Sequence, residues 1–600
     1  MGYITSFVFP LIYIILFTYS LTVIFKNKFE HNLVLTFVIS ALTLYMSLFV
    51  FHTIYVGLVI NILFCLVFPI YLIKNKYTFK DIKDKYLTNS VIGFITVYIF
   101  IYLYDLNRFY TRWDELSHWG KMVKEIIRLD DFYSVSQSHL LVHKDYPPIF
   151  SLMETFFTLI SGGFKETYLI RCIHLFEGSI VVSAINYFKE RKSYNVVIKT
   201  LLSLAIVYIV TLLFDSEVFI NSIYIDYPLA AIVAYILFII FRSNKISYNL
   251  IIKIGLFSTF ILLAKQVSIA FFLMIIFMLL IKMILNRKSI DLKKVLITIL
   301  MVLIIPVASF FTWNMYKNNM NTVAQFKTSD IKITEVKSIM NNSGENSWQH
   351  EASTNYLNAL FNKNMSSSYL KITFIGTAIV MLLLVFIVYN NTKDKVKKSD
   401  MYILLSTIII GYIGYTILMY LLYVFNFGPV EGPAIASFDR YMSTYVLICL
   451  YILLFILFYY KNIKFRYLLL ILVAVMIPIR PHQYLRLRPD LIILSNHHYD
   501  ESRYAAEKID KYVRQDDKVF IIDQVEKNGA VFYINYFSTK ATTNLTNFEM
   551  INIKDNIEVL QEYDYLYTYT LNNNELELHQ LYKIYLENNK VKLVKVDYYE

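Results

Sequence analysis

Residues 250–281 read LIIKIGLFSTFILLAKQVSIAFFLMIIFMLLI, 32 positions whose only ionisable groups are Lys253 and Lys265. A helix needs about 20 apolar residues to cross a bilayer, so the stretch suits one long tilted span or two short ones. The flanking loops decide between them. Residues 242–253 and 282–294 are both rich in lysine and arginine, and short basic loops stay on the cytoplasmic side. Two crossings keep both loops there, whereas one crossing inverts everything downstream. The stretch is therefore expected to cross twice, turning at Ala264-Lys265-Gln266 and setting Lys265 in the outer leaflet.

Working outward, similar apolar runs occupy 4–25, 32–51, 54–73, 90–104, 167–188, 199–214, 227–241, 294–313, 370–389, 401–425, 441–460 and 466–479. With the two above they predict a polytopic α-helical membrane protein of about 14 transmembrane helices. Residues 149–161 contain Glu154 and are expected as an outer-leaflet half-span. The first 25 residues lack a basic start and a small-residue cleavage site, which favours a retained helix over a signal peptide. Composition agrees: 57% of the chain is hydrophobic and 17% charged, against about a quarter charged in soluble proteins. The net charge of +12 resides largely in the short loops, so it marks topology and not nucleic-acid binding. Cys65, Cys172 and Cys449 all sit in apolar runs, which argues against a disulfide framework.

Three regions are expected: N-terminal transmembrane helices at 1–89, a membrane core at 90–483 with outer loops 105–148 and 314–369, and an extracytoplasmic α/β domain at 484–600. In the last, helices are predicted at 503–514 and 576–584, and strands at 519–522, 530–537, 564–570 and 590–597. No glycine-rich phosphate loop follows its first strand.

Polar residues concentrate at the expected outer face. Arg112-Trp113-Asp114-Glu115-Leu116-Ser117-His118-Trp119 is the densest group; as a helix it sets Asp114 and His118 on one face. A carboxylate there could act as general base toward a hydroxyl. It could equally cap an interfacial helix anchored by its tryptophans, and Asp114, Glu115 and His118 together are a candidate set for a divalent metal. Lys144-Asp145-Tyr146-Pro147-Pro148 forms a rigid turn before the next apolar run. Asp226-Tyr227-Pro228 and Phe438-Asp439-Arg440-Tyr441 open two outer helix starts. Lys265 and Arg440 are suited to a lipid phosphate, and Arg171 lies within an apolar run. Arg480, His482, Arg486 and Arg488 cluster after the last span.

In this order the motifs resemble the GT-C superfamily of polyprenyl-phosphate-sugar-dependent glycosyltransferases, which includes the lipid A aminoarabinose transferase and protein O-mannosyltransferases. Asp114-Glu115 through His118 matches its acidic first-loop motif, Tyr146-Pro147-Pro148 its Tyr/Lys-Pro-Pro element, and Gly162-Gly163 to Arg171 the glycine and arginine that follow. Three extra spans precede the loop, where that superfamily usually has one helix. The resemblance implies a GT-C-like fold in a bacterial cell membrane and an inverting transfer of sugar to a cell-envelope glycan, glycolipid or wall polymer. It implies Asp114 as base with Glu115 as its acidic partner. Lys265 and Arg440 would face the donor phosphate, and His118, Lys144, Tyr146, Arg171 and Asp226 would complete the substrate site. No cofactor is specified. A lipid-linked glycan polymerase or ligase and a lipid or glycan transporter are the competing readings.

Overall fold

The structure is a computed structural model that describes residues 2–187, 192–211, 222–287, 290–322, 339, 347–364, 373–390, 398–460, 497–523, 529–544, 557–570, 576–587 and 590–596. The chain divides into two compact units. The first comprises Met1–Arg108, Tyr146–Asn319 and Phe326–Arg488, and the second Phe109–Asp145, Met320–Gln325 and Pro489–Glu600.

The first unit is a multi-pass helical membrane protein. Seven helices among the described residues are long and apolar enough to span a bilayer: Ile4–Phe25, Leu33–Phe51, Ile54–Lys74, Ser268–Leu285, Leu292–Asn319, Lys398–Phe425 and Phe438–Tyr459. Phe79–Tyr86 and Asn89–Tyr104, bent by 82°, make an eighth if counted as one span. The expected GT-C-like arrangement of about 14 spans is thereby corrected to seven or eight among the described residues. Apolar composition does not fix helix length. Tyr248–Leu262 has 15 residues, Asn89–Tyr104 has 16 and Asp226–Arg242 has 17, rising about 22–26 Å against a hydrocarbon core of about 30 Å. Glu166–Ala184 has the length but carries Glu166, Arg171 and Glu177. The expected span at 466–479 and the Arg480–Arg488 cluster lie outside the described residues.

Residues 250–281 form two helices, Tyr248–Leu262 and Ser268–Leu285, separated by a turn that holds Lys265. The Ser247 side chain starts the first by accepting from the Leu250 amide, a normal N-cap. Phe438–Tyr459 is the most enclosed span, with 94% of its apolar window buried. It meets Asp226–Arg242 through edge-on or tilted ring pairs, Tyr227 on Tyr451 and Phe238 on Phe455. Asn89–Tyr104 approaches Glu166–Ala184 at Gly178, where an added Cβ would sit 2.4 Å from Val97 Cγ1.

Two lysines in apolar surroundings are bound at helix ends. Lys253 Nζ donates to the His31 carbonyl at 2.6 Å and to Asn32 Oδ1 at 2.8 Å. Lys282 Nζ donates to the Phe241 carbonyl at 3.0 Å and lies 3.4 Å from Asp400 Oδ1, satisfying an orphan carbonyl at the end of Asp226–Arg242.

The second unit contains an open five-stranded sheet: β1 Lys518–Asp523, β2 Thr542–Thr543, β3 Tyr565–Thr570, β4 Leu581–Glu587 and β5 Lys590–Lys595. Its order is β2-β1-β3-β4-β5. β1 runs parallel to β2 and β3, and the remaining pairings are antiparallel. Both faces of β1 are covered, as its apolar run requires. Val519 and Ile521 pack with Ala505, Ile509, Val531 and Ile534 from two helices, while Phe520 and Ile522 pack with Leu560, Leu566 and Tyr582.

Two expectations for this region fail. Residues 530–537 lie in a helix, Gly529–Phe537, because Ala530, Val531 and Ile534 present one apolar face to the sheet, and that packing overrides their strand propensity. Residues 581–587 form β4 and not a helix; Glu587 pairs with Lys590 across a hairpin.

Residues 109–145 fold with this sheet domain. Their helix Gly120–Leu129 directs Lys121 Nζ to the Asn535 carbonyl at 2.7 Å and Lys124 Nζ to the Tyr536 carbonyl at 2.8 Å. Two lysines thus occupy the carbonyl end of Gly529–Phe537, where the helix dipole favours cations. Trp113, 40% exposed, packs edge-on against Phe532 of the same unit.

Candidate functional site

In the first unit, Asp226 is the first residue of a helix, Lys265 lies in the turn between two helices, and Arg440 is in the first turn of a third. Helix starts present amide N–H groups and favour a carboxylate. Asp226 is buried, with 6% of its side chain exposed, and Lys265 Nζ meets its Oδ1 at 2.7 Å. Arg440 Nε lies 3.7 Å from Oδ2, and Arg440 Nη2 donates to the Tyr441 hydroxyl at 3.2 Å. The Arg440 guanidinium also lies over the Tyr224 and Tyr441 rings, 5.1 and 5.0 Å from their centroids. Lys265 faces the same Tyr441 ring at 4.7 Å, within cation–π range. Two cations thus share one carboxylate.

A cavity of about 200 Å³ opens beside them, lined by Tyr146, Lys265, Gln266 and Tyr441 and otherwise mainly by apolar groups such as Leu418 and Met419. Its Tyr146 wall is fixed to the Lys265 turn by the Ile149 amide, which donates to the Leu263 carbonyl at 3.2 Å. The arrangement offers positive charge at the edge of an apolar slot, chemistry suited to an amphiphile with an anionic head.

Arg171 sits elsewhere in this unit, its guanidinium 4.0 Å from the Tyr102 ring centroid. It borders a buried polar group that sequence reading missed. Asp105 Oδ1 pairs with Arg108 Nη1 at 3.0 Å and its Oδ2 with His174 Nδ1 at 2.7 Å, all three buried. One turn beyond His174 is Glu177, 2% exposed, and neither carboxylate oxygen has a hydrogen-bond partner among the described residues. The available signal was the spacing of Arg171, His174 and Glu177 three apart along an otherwise apolar helix.

The second unit carries Asp114, Glu115, His118 and Lys144. Here Glu115–Trp119 forms a π-helical turn, closed by the Gly120 amide bonding back to the Glu115 carbonyl. Such turns are uncommon and recur at functional sites. Gly120 is required by packing, since a Cβ there would lie 2.3 Å from Tyr110 Cε2 and 2.7 Å from the Glu115 carbonyl oxygen. Fully buried Glu115 accepts from the Thr111 and Arg112 amides at 2.8 and 2.9 Å, so its carboxylate caps the turn. Asp114 is the partly exposed carboxylate of the pair. His118 Nδ1 and Ser117 Oγ are 2.9 Å apart, and the His118 ring lies 4.4 Å from that of His143. Among the described residues no three His, Cys, Asp or Glu side chains are grouped to hold a metal ion, so the Asp114, Glu115 and His118 set is not assembled as one.

Lys144 Nζ donates to the Ser138 carbonyl at 3.0 Å, and burial pushes its ammonium below the usual lysine range. It lines a groove of about 950 Å³ with His139, His143, Asp516 and Lys518. Behind the groove, Glu125 lies 3.6 Å from Lys121 and 2.8 Å from Arg128, and Asp516 accepts from Arg128 at 3.0 Å and contacts His139 Nε2 at 2.8 Å. Burial works to raise the Glu125 carboxyl, but Lys121, Arg128 and His139 outweigh it and hold it low. Burial lowers both His139 and Lys121.

Comparison with models of known protein families and with curated proteins gives no match to this chain.

Proposed function

We propose that this protein transfers a sugar from a polyprenyl-phosphate donor to a cell-envelope acceptor at the outer face of a bacterial membrane. The observation that carries the reading is the sharing of buried Asp226 by Lys265 and Arg440 beside a small, mainly apolar cavity. A phosphate monoanion entering there would find two cations and one carboxylate, and the apolar wall suits the start of a prenyl chain. The motif resemblance supports the same assignment and is independent of that geometry.

In this reaction the acceptor hydroxyl oxygen attacks the anomeric carbon. The bond from that carbon to the phosphate oxygen breaks, the configuration inverts, and polyprenyl phosphate departs. The acceptor proton passes to a carboxylate, the role that the motif resemblance gives to Asp114; at the donor end, Lys265 and Arg440 stabilise the charge developing on the leaving phosphate. Glu115 holds the Asp114 turn in shape. Tyr146 and Gln266 line the donor end.

The test is reconstitution in proteoliposomes with radiolabelled polyprenyl-phosphate sugars, followed by product analysis. Transfer by the wild type and its loss in Asp114→Asn would support the reading. Turnover only of pyrophosphate-linked oligosaccharides would replace it with a glycan polymerase or ligase, and label crossing the bilayer unchanged would replace it with a transporter.

A further inference from the structure

The Asp226–Arg242 helix has 17 residues and so separates its two ends by about 24 Å. Asp226 belongs to the cavity described above. Arg242, at the other end, lines a second and larger cavity of about 620 Å³. Lys26, Lys28 and Lys85 line it too, and among the described residues Glu30 is its one carboxylate. Four cations against one anion is a strong imbalance for a concave site.

The surroundings register that imbalance. His31, also in the wall, lies in the short turn Phe29–His31 outside the spanning helices. Burial, and then Arg242, Lys253 and Lys28, pull its pKa down to about 3. Lys253 is engaged with the His31 carbonyl and Asn32, and Lys85 donates to the Tyr77 hydroxyl. Arg242 is different. Its guanidinium lies 5.2 Å from the Tyr459 ring centroid, yet it has no hydrogen bond or ion pair among the described residues. A planar five-donor fork so placed matches a phosphate.

Phe79 is 84% exposed and Ile73 77% exposed. Phe79–Tyr86 turns 82° from Asn89–Tyr104, with Phe79, Ile82 and Tyr86 on one face, Lys83 at its edge and Lys80 off it. A helix of that pattern lies along a membrane surface. A soluble phosphate compound would make no use of these exposed apolar side chains, whereas acyl chains would.

We propose that this cavity binds the phosphate headgroup of an anionic phospholipid, held by Arg242 and Lys28, with acyl chains against exposed apolar side chains such as Phe79 on the helix that supplies Lys85. The site is independent of sugar transfer. Basic recesses between helix ends are favourable places for such headgroups.

The experiment uses the full chain in phosphatidylcholine nanodiscs doped with phosphatidylglycerol, with retained lipid counted by mass spectrometry. Wild type should retain phosphatidylglycerol preferentially. Arg242→Gln and Lys28→Gln should each lower that preference about fivefold, while Lys83→Gln, outside the cavity, should not change it. If Arg242→Gln misfolds by gel filtration, Lys26→Gln with Lys28→Gln carries the same expectation. Equal retention of both lipids, or an unchanged preference in the lining variants, overturns the site. Displacement of phosphatidylglycerol by millimolar inorganic phosphate, with phosphate itself bound in lipid-free detergent, overturns the lipid as its occupant.

Discussion

Lys265 and Asp226 face each other at 2.7 Å although 39 residues separate them, and Arg440 approaches the same carboxylate from a third helix. Removing one member leaves the other charge buried and under-paired, at a cost on the order of 3 kcal/mol. Lys265→Ala should therefore lower the melting temperature and weaken polyprenyl-phosphate binding together. Pairing it with Asp226→Asn separates the two effects: stability should recover and lipid-phosphate binding should not. Recovery of both in the double variant, measured by thermal shift and by donor titration, would leave the pair a purely structural contact.

Asp114 and Glu115 are adjacent but differ in employment. Glu115 spends its carboxylate on the Thr111 and Arg112 amides, so Glu115→Gln should cost about 1 kcal/mol of stability and reduce transfer only modestly. Asp114→Asn should leave stability and abundance unchanged while lowering transfer at least about 100-fold. Near-wild-type turnover by purified Asp114→Asn removes the base from the proposal.

The network behind the Lys144 groove predicts a pH dependence. His139 is lowered from 6.5 by burial, and Glu125 is lowered from 4.5 by the cations that outweigh its burial. In both cases the unfolded chain binds the proton more readily, so stability rises with pH. His139 contributes stability that is present above about 6.5 and drains away as pH falls through its lower folded value; Glu125 adds a further loss below about 4.5. Asp516, Arg128, Lys121 and Lys144 complete the charges facing them. Thermal stability of the second unit should fall between pH 7 and pH 5, and His139→Gln should flatten that part of the curve. A parallel fall in the variant would assign the loss to other groups.

What the sequence discloses follows the physics of each signal. Ionisable residues at the edges of apolar runs are expensive, so Asp226, Lys265 and Arg440 stand out, and in the structure they meet. The break at Lys265 was legible for the same reason. Span number was not: runs such as 227–241 read as crossings, yet their helices are too short, and Glu166–Ala184 carries too much charge. Residues 530–537 carry strand-prone side chains, and only their packing on β1 makes them helical. Contacts with backbone acceptors are invisible to motif reading. Lys121 and Lys124 end on the Asn535 and Tyr536 carbonyls, which ties 109–145 to the sheet domain although nothing in either stretch names the other. Asp105 and His174 similarly find one another across 69 residues.

Glu177 offers the sharpest separation of structure from function. Its side chain is buried, its carboxylate lacks a hydrogen-bond partner among the described residues, and Asp105 is a close acidic neighbour. A buried polar group without partners costs roughly 1–3 kcal/mol in proteins, so a residue retained only for the fold would gain from its removal. Glu177→Leu, close in volume, should raise the melting temperature by several degrees, equivalent to about 1 kcal/mol or more. Sugar transfer should be unchanged, because the proposed chemistry does not use this carboxyl. Higher stability with transfer lost would instead make Glu177 part of the working site and move the reaction toward the Asp105–His174 pair, a result that thermal shift and the proteoliposome assay on one preparation would separate cleanly.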